Sequence, residues 1–238
     1  MKLTATFILM IFILGCKKGT TNGMNKIDTT KTEAPAGQLS YLALGDSYTI
    51  GEAVAQSQSF PYQLAESLNG QSLKVAVPRI IAKTGWTTGE LQTSIKAAAI
   101  SAKYDIVSLL IGVNNQYRGY SVADYRTEFK ALLQNAIGFA GGNTAHVFVV
   151  SIPDWGSTPF GKSSGKDPQV IAREIDAFNA VALEETIKAG VSYTDITPGS
   201  RMASADLSLV ASDGLHPSGK MYQNWVAQLA PAVVKAYK

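Results

Sequence analysis

From Ser40 onward, short runs of β-favouring apolar residues alternate with longer stretches whose apolar side chains recur every three or four positions. The apolar runs are SYLAL (40–44), LKVAVPRII (73–81), DIVSLLIG (105–112), AHVFVVSI (145–152) and VSYTDIT (191–197). Several are nearly unbroken Val, Ile and Leu, the pattern of strands covered on both faces. Between them the spacing predicts helices over 60–69, 88–102, 121–139, 168–189 and 217–237. In 121–139, Val122, Tyr125, Phe129, Leu132 and Leu133 fall on one face. Start signals agree: Thr88-Gly89-Glu90 for one helix, Ser121 as a cap for the next, and Asp167 before Pro168 for another. Pro217 is a natural first residue for the last. Alternating β and α units imply parallel strands joined by right-handed crossovers. Five strands predict a flavodoxin-like three-layer α/β/α sandwich with a five-stranded, mostly parallel sheet, in one domain spanning 39–238.

Ahead of that domain the pattern changes. Residues 1–15 carry Lys2 and then an apolar run from about Ala5 to Leu14. The run is shorter than the ~20 apolar residues a membrane span needs and fits the core of a secretory signal peptide. Cys16 follows ILG, a placement that resembles a bacterial lipobox, so lipidation of Cys16 and export to a membrane-anchored position are expected. As the only cysteine, it allows no intrachain disulfide. Residues 16–38 are rich in Lys, Thr, Gly and Asn and poor in large apolar side chains, the composition of a flexible tether.

The chain has 238 residues, 46% hydrophobic and 16% charged, enough for one sizeable core. A net charge of +3 with scattered Lys and Arg gives no basic patch, so no nucleic-acid partner is expected. No feature of the sequence specifies an oligomeric state.

Ligands of such sheets bind beyond the carboxyl ends of the strands. The loops at those ends are therefore where chemistry should collect. After the first strand comes Gly45-Asp46-Ser47; after the second, AKTGWTTGE with Gly85; after the third, IGVNNQYRG with Asn114; after the fifth, ASDGLHPSG with Asp213 and His216. A serine hydroxyl becomes a nucleophile when a base takes its proton, and histidine ionises in the right range. His146 opens the fourth strand, at the wrong end of the sheet, and reads as a surface or packing residue. His216 is the candidate base. Asp213, three residues earlier, is placed to hold the far imidazole nitrogen. The Asn114 side chain and the backbone amides of Gly85 and Ser47 are candidate donors to an oxyanion. Glycine at 85 suits a backbone that approaches a substrate closely.

These four blocks, GDSY, the Gly85 of TGWTT, GVNN and DGLH, resemble in order the sequence blocks of the SGNH (GDSL-type) hydrolases. The resemblance spans nearly the whole domain. It implies Ser47 as nucleophile, Asp213 and His216 as the rest of a triad, Ser47, Gly85 and Asn114 as the oxyanion hole, and ester hydrolysis without metal or organic cofactor. The implied substrate is a small-molecule, glycan or lipid ester. Two positions depart from the family pattern. Tyr48 stands for leucine, which touches packing. Asn115 stands for the usual aspartate of GxND, which leaves the role of that carboxylate open.

A second motif competes. GSTPFGKS (156–163) fits the phosphate-loop pattern G-x-x-x-x-G-K-[ST]. Such a loop needs its Lys-Ser to open a helix, whereas the better start here is Asp167-Pro168, and Pro159 removes a backbone donor. The segment is expected instead to border the ester site, with Trp155 and Phe160 as contacts. Trp86, Tyr117, Tyr120 and Trp155 are aromatic residues in or near the loops at that edge; of these Trp86, Tyr117 and Trp155 are the expected substrate contacts. Two histidines and one cysteine leave no metal-ligand cluster. The expectation is a serine esterase acting on short acyl or acetyl esters. The alternatives are lysophospholipid or thioester cleavage, or a non-catalytic surface binding protein that keeps the fold.

Overall fold

A computed structural model describes residues 34–238; the signal-like segment, Cys16 and the tether up to residue 33 lie outside the described residues. Five strands form one sheet: β1 (Tyr41–Gly45), β2 (Arg79–Ala82), β3 (Ile106–Leu110), β4 (Val147–Val150) and β5 (Ser192–Thr194). Their order is β2-β1-β3-β4-β5, and every pairing is parallel. β1, β3 and β4 are buried along their whole length, as their unbroken apolar sequences require. On one face α2 (Phe60–Asn69) packs against α9 (Gly219–Ala236); on the other lie α3 (Thr88–Ala97), α5 (Val122–Phe139) and α7 (Pro168–Lys188), with α5 between its two neighbours. This is the three-layer sandwich expected from the alternation.

Three boundaries differ from the sequence reading for identifiable reasons. The run 73–81 does not form one strand. Val75 bridges Leu39, Val77 turns out to solvent at 76% exposure, and regular pairing resumes with Arg79 opposite Leu42. One additional residue is thus taken up around Val77–Pro78, where proline has no N–H for a ladder. The helix expected over 88–102 stops at Ala97, because Ala99 adopts φ 44° and breaks the helical path. The last helix is capped by Ser218, whose side chain accepts from the Met221 amide, while Pro217 bridges Val210 ahead of it.

Gly112, just beyond β3, has φ +129°, and a Cβ there would sit 2.6 Å from the Tyr125 ring and 2.8 Å from Ile152 Cδ1. Only glycine lets the chain turn against α5 at this point. That turn delivers α4 (Val113–Tyr117) to the carboxyl edge of the sheet.

Candidate active site

Ser47 is the first residue of the short helix α1 (Ser47–Ile50), which begins where β1 ends. Asp46 caps this helix: it is fully buried, and its Oδ1 accepts from the Tyr48 amide at 3.0 Å. Burial pushes the Asp46 carboxyl up to about 8, against the opposing pull of that hydrogen bond. Near neutrality the cap is therefore a neutral acid. An unfolded aspartate ionises near ~3.9, so the stability this group contributes is full below that pH and is lost as pH rises towards 8. Asp46→Asn, which cannot ionise, should flatten the decline of Tm between pH 4 and about pH 8. Thermal melts across that range check it; parallel curves for the two proteins would refute it.

His216 is 7% exposed, and its Nδ1 lies 2.5 Å from Asp213 Oδ2. Asp213 Oδ1 accepts from the amides of Leu215 and His216, at 2.9 and 3.0 Å. Burial opposes ionisation of Asp213, but these three hydrogen bonds outweigh it and hold the carboxyl below its usual range. A carboxylate there fixes the imidazole tautomer with its proton on Nδ1 and a lone pair on Nε2. Tyr48, at the position where the family pattern has leucine, packs edge-on against the His216 ring at 5.6 Å and against Trp225 at 6.3 Å.

Ser47 and His216 line one cleft of about 230 Å³ together with Gly85 and Asn114. Neither the Ser47 hydroxyl nor His216 Nε2 has a hydrogen-bond partner among the described residues, so the two are brought to one cleft without being bonded to each other. Catalytic contacts of this kind are commonly loose before substrate binds. Gly85 has φ +84°, and a Cβ on it would meet only Arg118 Nη2, at 3.7 Å. The left-handed turn, rather than tight packing, is what calls for glycine there. Asn114 Nδ2 donates to the Trp86 carbonyl at 2.9 Å, which fixes the orientation of its amide and leaves its second N–H uncommitted.

The apolar wall of the cleft comes from Val113, Tyr117, Trp155, Phe160 and Leu215. Tyr117 and Phe160 flank Trp155 at 5.3 and 6.0 Å between ring centres. Trp155 Nε1 donates to Gln116 at 2.8 Å, and Asp154, 2% exposed, anchors this loop through Arg201 at 2.9 Å. Trp86 corrects the sequence reading. Its side chain packs in the core, and it reaches the site only through its carbonyl. Tyr120 lies outside the cleft, beside α7. Thr84, Val113 and Leu215 line the cleft without having been singled out; each adjoins or nearly adjoins a chemically marked residue, but an apolar or hydroxyl side chain in a loop carries no chemical signal of its own.

Lys162 and Ser163 close the helix α6 (Pro159–Ser163) rather than opening one, so GSTPFGKS is no phosphate loop. It borders the site through Phe160, whose amide donates to the Gly214 carbonyl at 2.9 Å. His146 stacks on Tyr237 at 4.7 Å, just ahead of β4 at the opposite edge of the sheet.

A doubly wound sheet with a serine at the end of β1, amide donors beyond β2 and β3, and a carboxylate-bonded histidine on the same cleft has the components of an acyl-transfer hydrolase. Residues 43–223 match the GDSL-like Lipase/Acylhydrolase family, and the chain belongs to that family. Among solved structures the chain resembles TesA, at 16% identity and TM-score 0.64, over 83% of this chain and 99% of that one. It also resembles the psychrotrophic esterase EstA from Pseudoalteromonas sp., at 16% identity and TM-score 0.63, over 83% of this chain and 98% of that one. The lipase/acylhydrolase from Enterococcus faecalis matches at 18% identity and TM-score 0.65, over 82% of this chain and 95% of that one. These likenesses show a shared fold. No curated protein gives a significant match to the sequence.

Proposed function

We propose that the protein is a serine ester hydrolase acting on carboxylic esters with short acyl groups. What carries the reading is the convergence of Ser47, Gly85, Asn114 and the Asp213-bonded His216 on one cleft. Ser47 Oγ attacks the ester carbonyl while His216 Nε2 takes the hydroxyl proton, and Asp213 steadies the resulting imidazolium. The oxyanion receives N–H groups from Ser47, Gly85 and the free arm of the Asn114 amide. Collapse of the tetrahedral intermediate returns the proton from His216 to the departing alcohol. Water then repeats the sequence on the acyl-enzyme, releasing the acid and restoring Ser47. No cofactor takes part in this sequence.

A cleft of about 230 Å³ lies below the ~300–1,000 Å³ of drug-sized sites, which favours acetyl and other short acyl groups over long chains. Export and anchoring through Cys16 belong to the same proposal, with the tether carrying the hydrolase domain away from the membrane surface. A fluorophosphonate probe tests the nucleophile: it should label the protein once, at Ser47, as located by peptide mass mapping. Absence of label, or label elsewhere, would speak for a binding protein or a different nucleophile. A chain-length series of nitrophenyl esters, with kcat/KM falling beyond short chains, tests the acyl preference against long-chain lysophospholipid cleavage.

A further inference from the structure

The residues flanking Gly85 are held from several sides. Arg118 Nη2 donates to the Gly85 carbonyl at 2.5 Å, Asn114 Nδ2 to the Trp86 carbonyl at 2.9 Å, and the Thr87 amide to Glu90 Oε2 at 2.8 Å. The Thr88 amide donates to Asn115 Oδ1 at 3.0 Å. One further group enters from outside these loops: Glu128, in the middle of α5, whose Oε2 accepts the Thr88 hydroxyl proton.

The proton directions in this cluster follow from its distances. Asn115 Oδ1 is occupied by the Thr88 N–H, so its Nδ2 points the other way and donates to Thr88 Oγ1 at 2.6 Å. The Thr88 hydroxyl, having accepted, sends its own proton to Glu128 Oε2, and Asn115 Nδ2 reaches that same oxygen at 3.5 Å. The side-chain donors of Thr88 and Asn115 thus both reach one acceptor-only group, Glu128 Oε2. Glu128 has no ion-pair partner among the described residues, so within the ring it meets only neutral donors. This accounts for asparagine at 115, where the family pattern has aspartate. With Glu128 in place, a second carboxylate at 115 would face it at about the same separation and could not donate to Thr88.

We propose that Glu128 is a positioning residue for the oxyanion site, supplying from α5 the carboxylate that locks the Gly85 loop to the helix bearing Asn114. The proposal rests on the reading of Gly85 and Asn114 as oxyanion donors. Misplacing such a donor by a fraction of an ångström acts on the transition state more than on the bound ester, so kcat is the quantity at risk.

The test compares the full-length protein with Glu128→Ala, Asn115→Asp and the double variant Asn115→Asp/Glu128→Gln on nitrophenyl acetate, with thermal melts alongside. Each single variant should lose about tenfold to a hundredfold in kcat with KM nearly unchanged. The double variant returns one carboxylate to the ring from the opposite side, with a side-chain amide at position 128 able to donate to it, and should recover most of the loss. Singles that keep full kcat overturn the proposal, as does a double variant no better than Asn115→Asp. Should Glu128→Ala melt early, recovery of the double variant over Asn115→Asp still decides, because general destabilisation would worsen with a second substitution. Wild-type turnover that does not depend on Ser47 would overturn the functional reading itself, and this proposal with it; Ser47-dependent turnover indifferent to residues 115 and 128 would overturn this proposal alone.

Discussion

Ser47→Ala should reduce kcat toward nitrophenyl acetate by about 10⁶-fold, the size of loss seen when a serine hydrolase loses its nucleophile. It should also abolish fluorophosphonate labelling and leave the melting temperature close to that of the parent protein. The stability half of this expectation follows from local structure. The Ser47 hydroxyl bonds to nothing among the described residues, while the α1 cap is made by Asp46 and the Tyr48 amide. Removing Oγ therefore breaks no fold contact and leaves no buried group unpaired. The proposed oxyanion donors on other segments would survive, so a residual acceleration of about 10³–10⁴ over water should persist. Turnover within about a hundredfold of the parent would move the nucleophile elsewhere, since no retained donor set compensates a missing nucleophile on that scale.

How far this site could be read from sequence depends on how local each signal is. Strand and helix alternation follows from side-chain period, and the caps at Ser121 and Asp167 lie where their side chains accept from amides two or three residues on. Asp213 and His216 were legible because three residues of loop bring them together. The bend at Val77–Pro78 was marked in the sequence by Pro78 alone, inside an apolar run that continues through it, and the pairings of Val75 with Leu39 and Arg79 with Leu42 are what show where the strand restarts. Trp86 misled for a related reason. A tryptophan in a site-side loop can face either way, and here the core below takes the indole. Glu128 was invisible altogether. It adjoins Phe129 on an amphipathic helix, where a carboxylate reads as a solvent-facing residue, and only packing of α3 on α5 sets it beside Thr88. The departure at Asn115 was the one trace of it in the sequence, and its meaning required the third dimension.

The sharpest test of the histidine–aspartate pair is Asp213→Asn, which should lower kcat by about 10⁴-fold with little change in fold or KM. The loop would be preserved, because the amide oxygen of the substituted side chain can still accept from the Leu215 and His216 amides that now bond to Oδ1. The defect lies on the other atom. Where Oδ2 now accepts from His216 Nδ1 at 2.5 Å, an NH₂ would donate instead. That donation requires a lone pair on Nδ1 and moves the ring proton to Nε2, so the nitrogen facing the cleft presents a hydrogen and cannot take one from Ser47. The imidazolium formed on attack would also lose its neighbouring charge. A kcat within about tenfold of the parent would show that the carboxylate charge and the tautomer it fixes are dispensable, and would remove Asp213 from the proposed machinery. A large loss of kcat with unchanged melting would tie the chemistry to the tautomer, since nothing else about the loop differs.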